Sequence, residues 1–230
     1  MHRTFVIGDI HGAYRALRQC LQKAAFDYSN DHLICLGDVC DGWPETRESI
    51  GELLKINHLA YILGNHDFWA LQWMLTGKEE SSWLAQGGES TMESYRAGLP
   101  VDHIKLLKEA HPYFLLDNKI FVHAGIDRQR RIERQDLDIF LFDRSLTMTP
   151  LDHYKNSIHV TLTEYEEVYV GHTPISSSEP LFSCGVWLMD TGAGWSGVLS
   201  MMEIFTKEVF TSDKVPSLYP GVRGRQPKSS

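Results

Sequence analysis

Thr4-Phe5-Val6-Ile7-Gly8-Asp9-Ile10-His11-Gly12 sets a pattern that the rest of the chain repeats. An apolar run rich in β-formers reads as a strand, a glycine then permits a sharp turn, and an aspartate and a histidine project where the strand ends. Gly37-Asp38-Val39-Cys40-Asp41 follows the strand-like residues 32–36, and Gly64-Asn65-His66-Asp67 follows 59–63. His123-Ala124-Gly125 follows 119–122, and Gly171-His172-Thr173 follows 168–170. A single turn of this kind is ordinary loop or helix-cap chemistry. Five in one chain, each carrying an Asp, Asn or His, exceed what turn chemistry supplies, and the ends of sheet strands are where functional side chains collect.

Working outward, residues 186–189 and 198–205 also read as strands. Tyr14, Leu17, Leu21 and Ala24 recur at helical spacing, as do Ile50, Leu53 and Leu54. Strands alternating with helices predict an α/β fold. From 68 to 116 the strand pattern gives way to helix-like segments broken by Gly77, Gly87, Gly88, Gly98 and Pro100. This segment predicts a helical cap that walls the site, with Trp69, Trp73 and Trp83 as packing or stacking surfaces. Residues 212–230 are rich in Pro, Gly, Ser and Arg and predict a flexible tail after a single domain over 1–211.

At 230 residues the chain suffices for one large core but not comfortably for two. A net charge of −8 argues against bulk nucleic-acid binding, which rests on neutralising phosphates with Lys and Arg. No apolar run approaches a bilayer span and the start reads as a strand, so neither a membrane protein nor a secreted one is predicted, and a cytoplasmic location is expected. Cys20, Cys35, Cys40 and Cys184 lack C-x-x-C spacing and predict free thiols.

The candidate ligands Asp9, His11, Asp38, Asn65, His123 and His172 combine imidazole, carboxylate and amide oxygen without thiolate. That set suits manganese, iron, zinc or nickel. Six ligands are too many for one ion that must also meet substrate, yet they divide between two if Asp38 bridges. Two ions about 3.5–4 Å apart lower the pKa of a shared water and grip phosphoryl oxygens.

The motifs GDIHG, GDVCDGWP, GNHD, HAG and GHT resemble the calcineurin-like metallophosphoesterases, specifically the phosphoprotein phosphatase branch and its bacterial and phage members, over roughly Phe5 to Ile204. The resemblance implies a sandwich of two mixed β-sheets flanked by helices. It implies one metal on Asp9, His11 and Asp38 and a second on Asp38, Asn65, His123 and His172. It also implies that His66 is the general acid, oriented by Asp41, with the carboxylate raising the imidazole pKa. Manganese is then the expected activating ion, and a phosphorylated molecule the expected partner.

Two departures bear on substrate. Many members of that branch carry an arginine after the residue matching Asp41, where it grips phosphate; here Gly42 and Trp43 follow. Arg144 is the candidate replacement, with a surface ion pair as its alternative role. Asp67 stands where the protein phosphatases usually carry glutamate, a form nearer the bacterial dinucleoside tetraphosphatases. The leading expectation is a serine/threonine phosphatase-like phosphomonoesterase. Hydrolysis of a dinucleoside polyphosphate is the rival, and a catalytically idle binding module the remote third reading.

Overall fold

A computed structural model describes residues 2–225. The expected α/β sandwich is present as two five-stranded mixed sheets. Its elements begin with β1 (Thr4–Ile7), α1 (Tyr14–Lys23), β2 (His32–Cys35), α2 (Thr46–Leu53) and β3 (His58–Tyr61). Four helices follow: α3 (Asn65–Thr76), α4 (Ser81–Leu84), α5 (Gly88–Ser94) and α6 (Val101–Lys108). Next come β4 (Tyr113–Leu116), β5 (Lys119–Val122), α7 (Leu137–Phe142), α8 (Ser145–Lys155) and β6 (Glu167–Val170). The chain closes with β7 (Leu181–Ser183), β8 (Val186–Leu188), β9 (Ser200–Glu203), β10 (Val209–Thr211) and α9 (Val215–Leu218).

The first sheet has the order β10-β9-β1-β2-β3 and the second β4-β5-β6-β8-β7. β1, β2 and β3 run parallel, as do β5, β6 and β8, while β9 pairs antiparallel with β1 and with β10, β4 with β5, and β7 with β8. Strand alternation decides the layers. Val6, Ile34, Phe121, Tyr169 and Met202 face one another between the sheets. Phe5, Ile7, Leu33 and Cys35 face outward onto α1 and α2 through Leu17, Cys20, Ile50 and Leu53. Ile120, Val122, Val168 and Val170 pack on the other side against Phe140 and Leu146 of α7 and α8. Parallel strands covered on both faces are the reason these runs read as continuously apolar.

Three sequence expectations need correction. The 68–116 segment is not helical throughout: Tyr113–Leu116 pairs with β5 as an outer strand, half-buried and without clean alternation. Residues 198–205 contain a shorter strand, Ser200–Glu203. Residues 212–225 do not form a loose tail. α9 packs on α1, Arg15 donates to the Leu218 carbonyl at 2.7 Å, and Tyr219 is buried and stacked on Trp43 with ring centroids 5.1 Å apart. Composition misled because two aromatic rings, not an apolar run, anchor this segment. Residues 226–230 lie outside the described residues. Among the described residues the four cysteines are free, and no helix is long and apolar enough to cross a membrane.

Candidate metal centre

The C-terminal ends of the parallel strands in both sheets converge, bringing all six candidate ligands together. Asp9 follows β1, Asp38 follows β2, Asn65 opens α3 just after β3, His123 directly follows β5, and His172 follows β6. Backbone bonds join the loops: Ile10 and His11 donate to the Asp38 carbonyl at 3.0 and 2.8 Å, and Gly171 donates to the His123 carbonyl at 2.9 Å. The Asp9 carboxylate crosses between the sheets to accept the His172 backbone N–H at 3.0 Å.

Close packing, rather than a turn, explains two of the glycines. A Cβ on Gly64 would sit 2.1 Å from Asp38 Oδ1, and one on Gly171 would sit 2.1 Å from Asp9 Oδ1. Both glycines make room for a ligand from another strand. Strain is placed on the ligands themselves: His11, Asp38, Asp41 and His172 have φ of 51°, 49°, 69° and 66°. Left-handed backbone at non-glycine residues costs energy that the surrounding structure must supply, and it gathers at functional sites.

The donor atoms form two overlapping groups. Asp9, His11 and Asp38 offer ligand atoms within 4.8 Å of one another, and so do Asp38, His123 and His172. Asp38 Oδ2 lies 3.8 Å from His11 Nε2 and 3.5 Å from His123 Nε2, which puts it between the groups. Asn65 Oδ1 is 3.0 Å from His123 Nε2 and 2.9 Å from His172 Nδ1.

Protonation makes this arrangement demand a cation. His123 Nδ1 donates to the Leu36 carbonyl at 2.8 Å and His11 Nδ1 to the Cys40 carbonyl at 3.0 Å, which leaves a lone pair on each Nε2. Burial pushes the His11 and His123 pKa values well below the usual imidazole range, so both rings are neutral. The His172 pKa falls to about 3, through burial first and then the nearby Arg144 charge. The His123 Nε2 lone pair therefore faces the Asn65 oxygen with no proton between them, and the Nε2 atoms of His11 and His123 both face Asp38. Burial, reinforced by Asp190 and Asp67 respectively, raises Asp9 and Asp38 well above the ordinary carboxylate range. Divalent cations relieve both conflicts, and the donor set fits them.

His66 stands beside this group, its ring 4.9 Å from that of His11. Its Nδ1 lies 2.7 Å from Asp41 Oδ2. The cap completes the pair: Trp83 Nε1 donates to Asp41 Oδ2 and Thr91 Oγ1 to Asp41 Oδ1, both at 2.7 Å. Burial raises Asp41 to about 7 against those two hydrogen bonds, and it lowers His66 well below the usual imidazole range. The expected rise at His66 is thus overturned. Burial thus disfavours charge on both partners and draws the pair toward its neutral form, with one proton on Asp41 facing His66 Nδ1 and the other on His66 Nε2.

The family profile of the calcineurin-like phosphoesterases matches residues 2–184. The chain belongs to that family. The asymmetrical bis(5'-nucleosyl)-tetraphosphatase PrpE of Bacillus cereus is 30% identical to this phosphoesterase, over 94% of this chain and 95% of the relative. Serine/threonine-protein phosphatase 1 of Salmonella typhimurium is 24% identical over 87% and 91%. The crystal structure of a metallophosphoesterase from Sphaerobacter thermophilus superposes with a TM-score of 0.57 at 15% identity, covering 91% of this chain and 87% of that one. The protein is a metal-dependent phosphoesterase, a hydrolase.

Other expected residues fall differently around the phosphoesterase site. Arg144 is exposed at the N-cap of α8, near enough to His172 for its charge to be felt there. Asp67 faces away from any substrate: it is fully buried, accepting Val39 and Cys40 N–H at 2.9 and 3.1 Å and Gly64 N–H at 3.2 Å. It pins loops. Trp83, expected from sequence as a packing or stacking surface, and Thr91, unassigned there, hold Asp41. Asp190, in the Asp190-Thr191-Gly192-Ala193-Gly194 turn, is buried beside Asp9 with its pKa raised to about 6 by burial.

Proposed function

We propose that this chain hydrolyses phosphate esters at two divalent cations. Asp9, His11 and Asp38 would hold one, and Asp38, Asn65, His123 and His172 the other, with manganese as the activating ion and a cytoplasmic setting. The observation that carries this reading is the pair of ligand groups that share Asp38, with the His123 Nε2 lone pair set against the Asn65 oxygen, beside the buried His66–Asp41 pair. When bound, such ions supply Lewis acidity that draws charge from phosphoryl oxygens and makes hydroxide available near neutral pH.

The chain's own groups do the rest. The Leu36 and Cys40 carbonyls fix the ring tautomers that keep both Nε2 lone pairs aimed inward. As the water oxygen bonds to phosphorus and the bond to the leaving oxygen breaks, His66 Nε2 gives its proton to that oxygen. Asp41 then passes its proton to His66 Nδ1, so the dyad acts as one acid. Trp83 and Thr91 hold the Asp41 carboxylate in register with the ring. Arg144 is assigned a contact with the substrate phosphate, supported by its nearness to His172.

Phosphomonoesters, in the manner of a serine/threonine phosphatase, are the proposed substrates. A second reading, dinucleoside polyphosphate hydrolysis, is favoured by the Bacillus cereus relative and by a half-open aromatic face beside the acid. Trp69 lies 5.1 Å from His66 and 5.8 Å from the exposed Phe142, a surface on which a base can stack. Release of phosphate from a phosphoserine peptide should be compared with cleavage of diadenosine tetraphosphate, both with manganese. Faster peptide turnover upholds the first reading and faster dinucleotide cleavage the second. Inactivity on both, and on an aryl phosphate with manganese, nickel or zinc, would leave only a binding module.

A further inference from the structure

Gly42 and Trp43 remove a cation from the loop after β2, and the C-terminal segment brings one back. Trp43 is buried under Tyr219, and its Nε1 donates to the Ala193 carbonyl at 2.8 Å. Past Tyr219 the chain turns inward, with Gly224 lying so close to the Trp43 ring that a Cβ there would sit 2.6 Å from Cζ2. Arg225 then enters the site. Its backbone N–H donates to the Gly194 carbonyl at 3.0 Å, and Nη1 reaches His11 Nε2 at 3.2 Å.

The slot that admits Arg225 is made of missing side chains. Cβ atoms on Gly42, Gly87 and Gly194 would sit 3.1, 3.6 and 3.2 Å from its Cγ, Cγ and Cδ. Trp195 covers the guanidinium, with Cζ 4.8 Å from the ring centre. Nε is buried with no hydrogen-bond partner, and among the described residues no carboxylate lies within ion-pair distance of Arg225. A half-buried, oriented guanidinium whose Nε is buried and unpartnered is built to take an anion, since its planar fork matches phosphate oxygens.

We propose that Arg225 is a phosphate-gripping residue of this site beside Arg144, delivered from the C-terminal segment into the space that Gly42 leaves open. The inference rests on the phosphoesterase reading above and adds a specificity-determining residue to it. The His11 Nε2 lone pair serves one cation at a time, so a metal held there would free Nη1 for substrate oxygen. Trp43 is then the docking surface for the segment that carries the arginine.

The test measures inorganic phosphate binding by calorimetry to manganese-loaded wild type, Arg225→Ala and Arg225→Lys, with manganese affinity and aryl phosphate kinetics alongside. We expect Arg225→Ala to weaken phosphate binding and raise KM by about 10- to 100-fold with a smaller change in kcat. Manganese affinity should stay within about threefold, because a guanidinium is not a metal ligand. Arg225→Lys should recover part of the loss, and free guanidinium ion should partly rescue Arg225→Ala. A chain ending at Gly224 should behave as Arg225→Ala. Unchanged phosphate binding in Arg225→Ala would overturn the proposal. So would faster turnover with tighter manganese binding, which would make the segment an inhibitor. Inactive wild type that still binds phosphate through Arg225 would instead sink the phosphoesterase reading alone.

Discussion

At His66 the structure replaces a familiar expectation with a different proton inventory. A carboxylate beside an imidazole ordinarily raises the ring's pKa, but both groups here are fully buried and charge separation is costly. The neutral pair still has a proton to give from Nε2. Substituting His66→Asn should therefore lower kcat on an aryl phosphate by about 10²- to 10⁴-fold with manganese content unchanged. A full loss of bound metal would instead make His66 a ligand. Trp83 offers a subtler check at the same scale. Its Nε1–H stabilises the Asp41 carboxylate and holds the pKa down against burial. In Trp83→Phe the Asp41 proton should be retained to higher pH, so the alkaline limb of the kcat profile should move upward. A limb that moves downward, or does not move, would mean that Asp41 does not govern it.

Among the elements, α3 ties the site together from its first turn. Asn65 and His66 project into the chamber while Asp67, at the third position, turns back to the loop after β2 and to the Gly64 N–H. Asp67→Ala would leave three buried N–H groups without acceptors, although the lost charge also relieves Asp38, which Asp67 destabilises. The net expectation is a loss of about 2–3 kcal/mol, read as a fall of roughly 4–12 °C in Tm. An unchanged Tm would show that water replaces the carboxylate. Sequence made the ligands of α3 legible because their motif directly follows the apolar run 59–63. It failed at β4, β7 and β10, three- or four-residue outer strands that carry no clean alternation. Asp67 was visible as a residue but not as a role, since three backbone donors on two loops leave no trace in composition.

Across the whole molecule, the least legible feature is the approach of Arg225 to His11, two positions 214 apart that no local pattern connects. The two-sheet convergence also concentrates buried acid, and this yields a pH-dependent consequence of metal binding. Asp9 and Asp38 titrate well above 3.8, and Asp190 at about 6. In the metal-free protein the folded state therefore holds more protons than the unfolded chain across that window, so these groups lose stabilising effect as pH rises through it. The imidazoles work in the opposite direction: neutral when folded, they favour folding increasingly as pH rises toward 6.5. They stay neutral with metal bound as well, so their contribution cancels in the difference between loaded and stripped protein. That difference isolates the carboxylates, which an ion must find deprotonated. The rise in Tm on adding manganese to stripped protein should grow from about pH 5 to about pH 7.5, with proton release on titration at the lower end. A manganese increment that is flat over this range would mean that Asp9 and Asp38 hold no ion. It would leave the His123 lone pair that faces the Asn65 oxygen without an explanation.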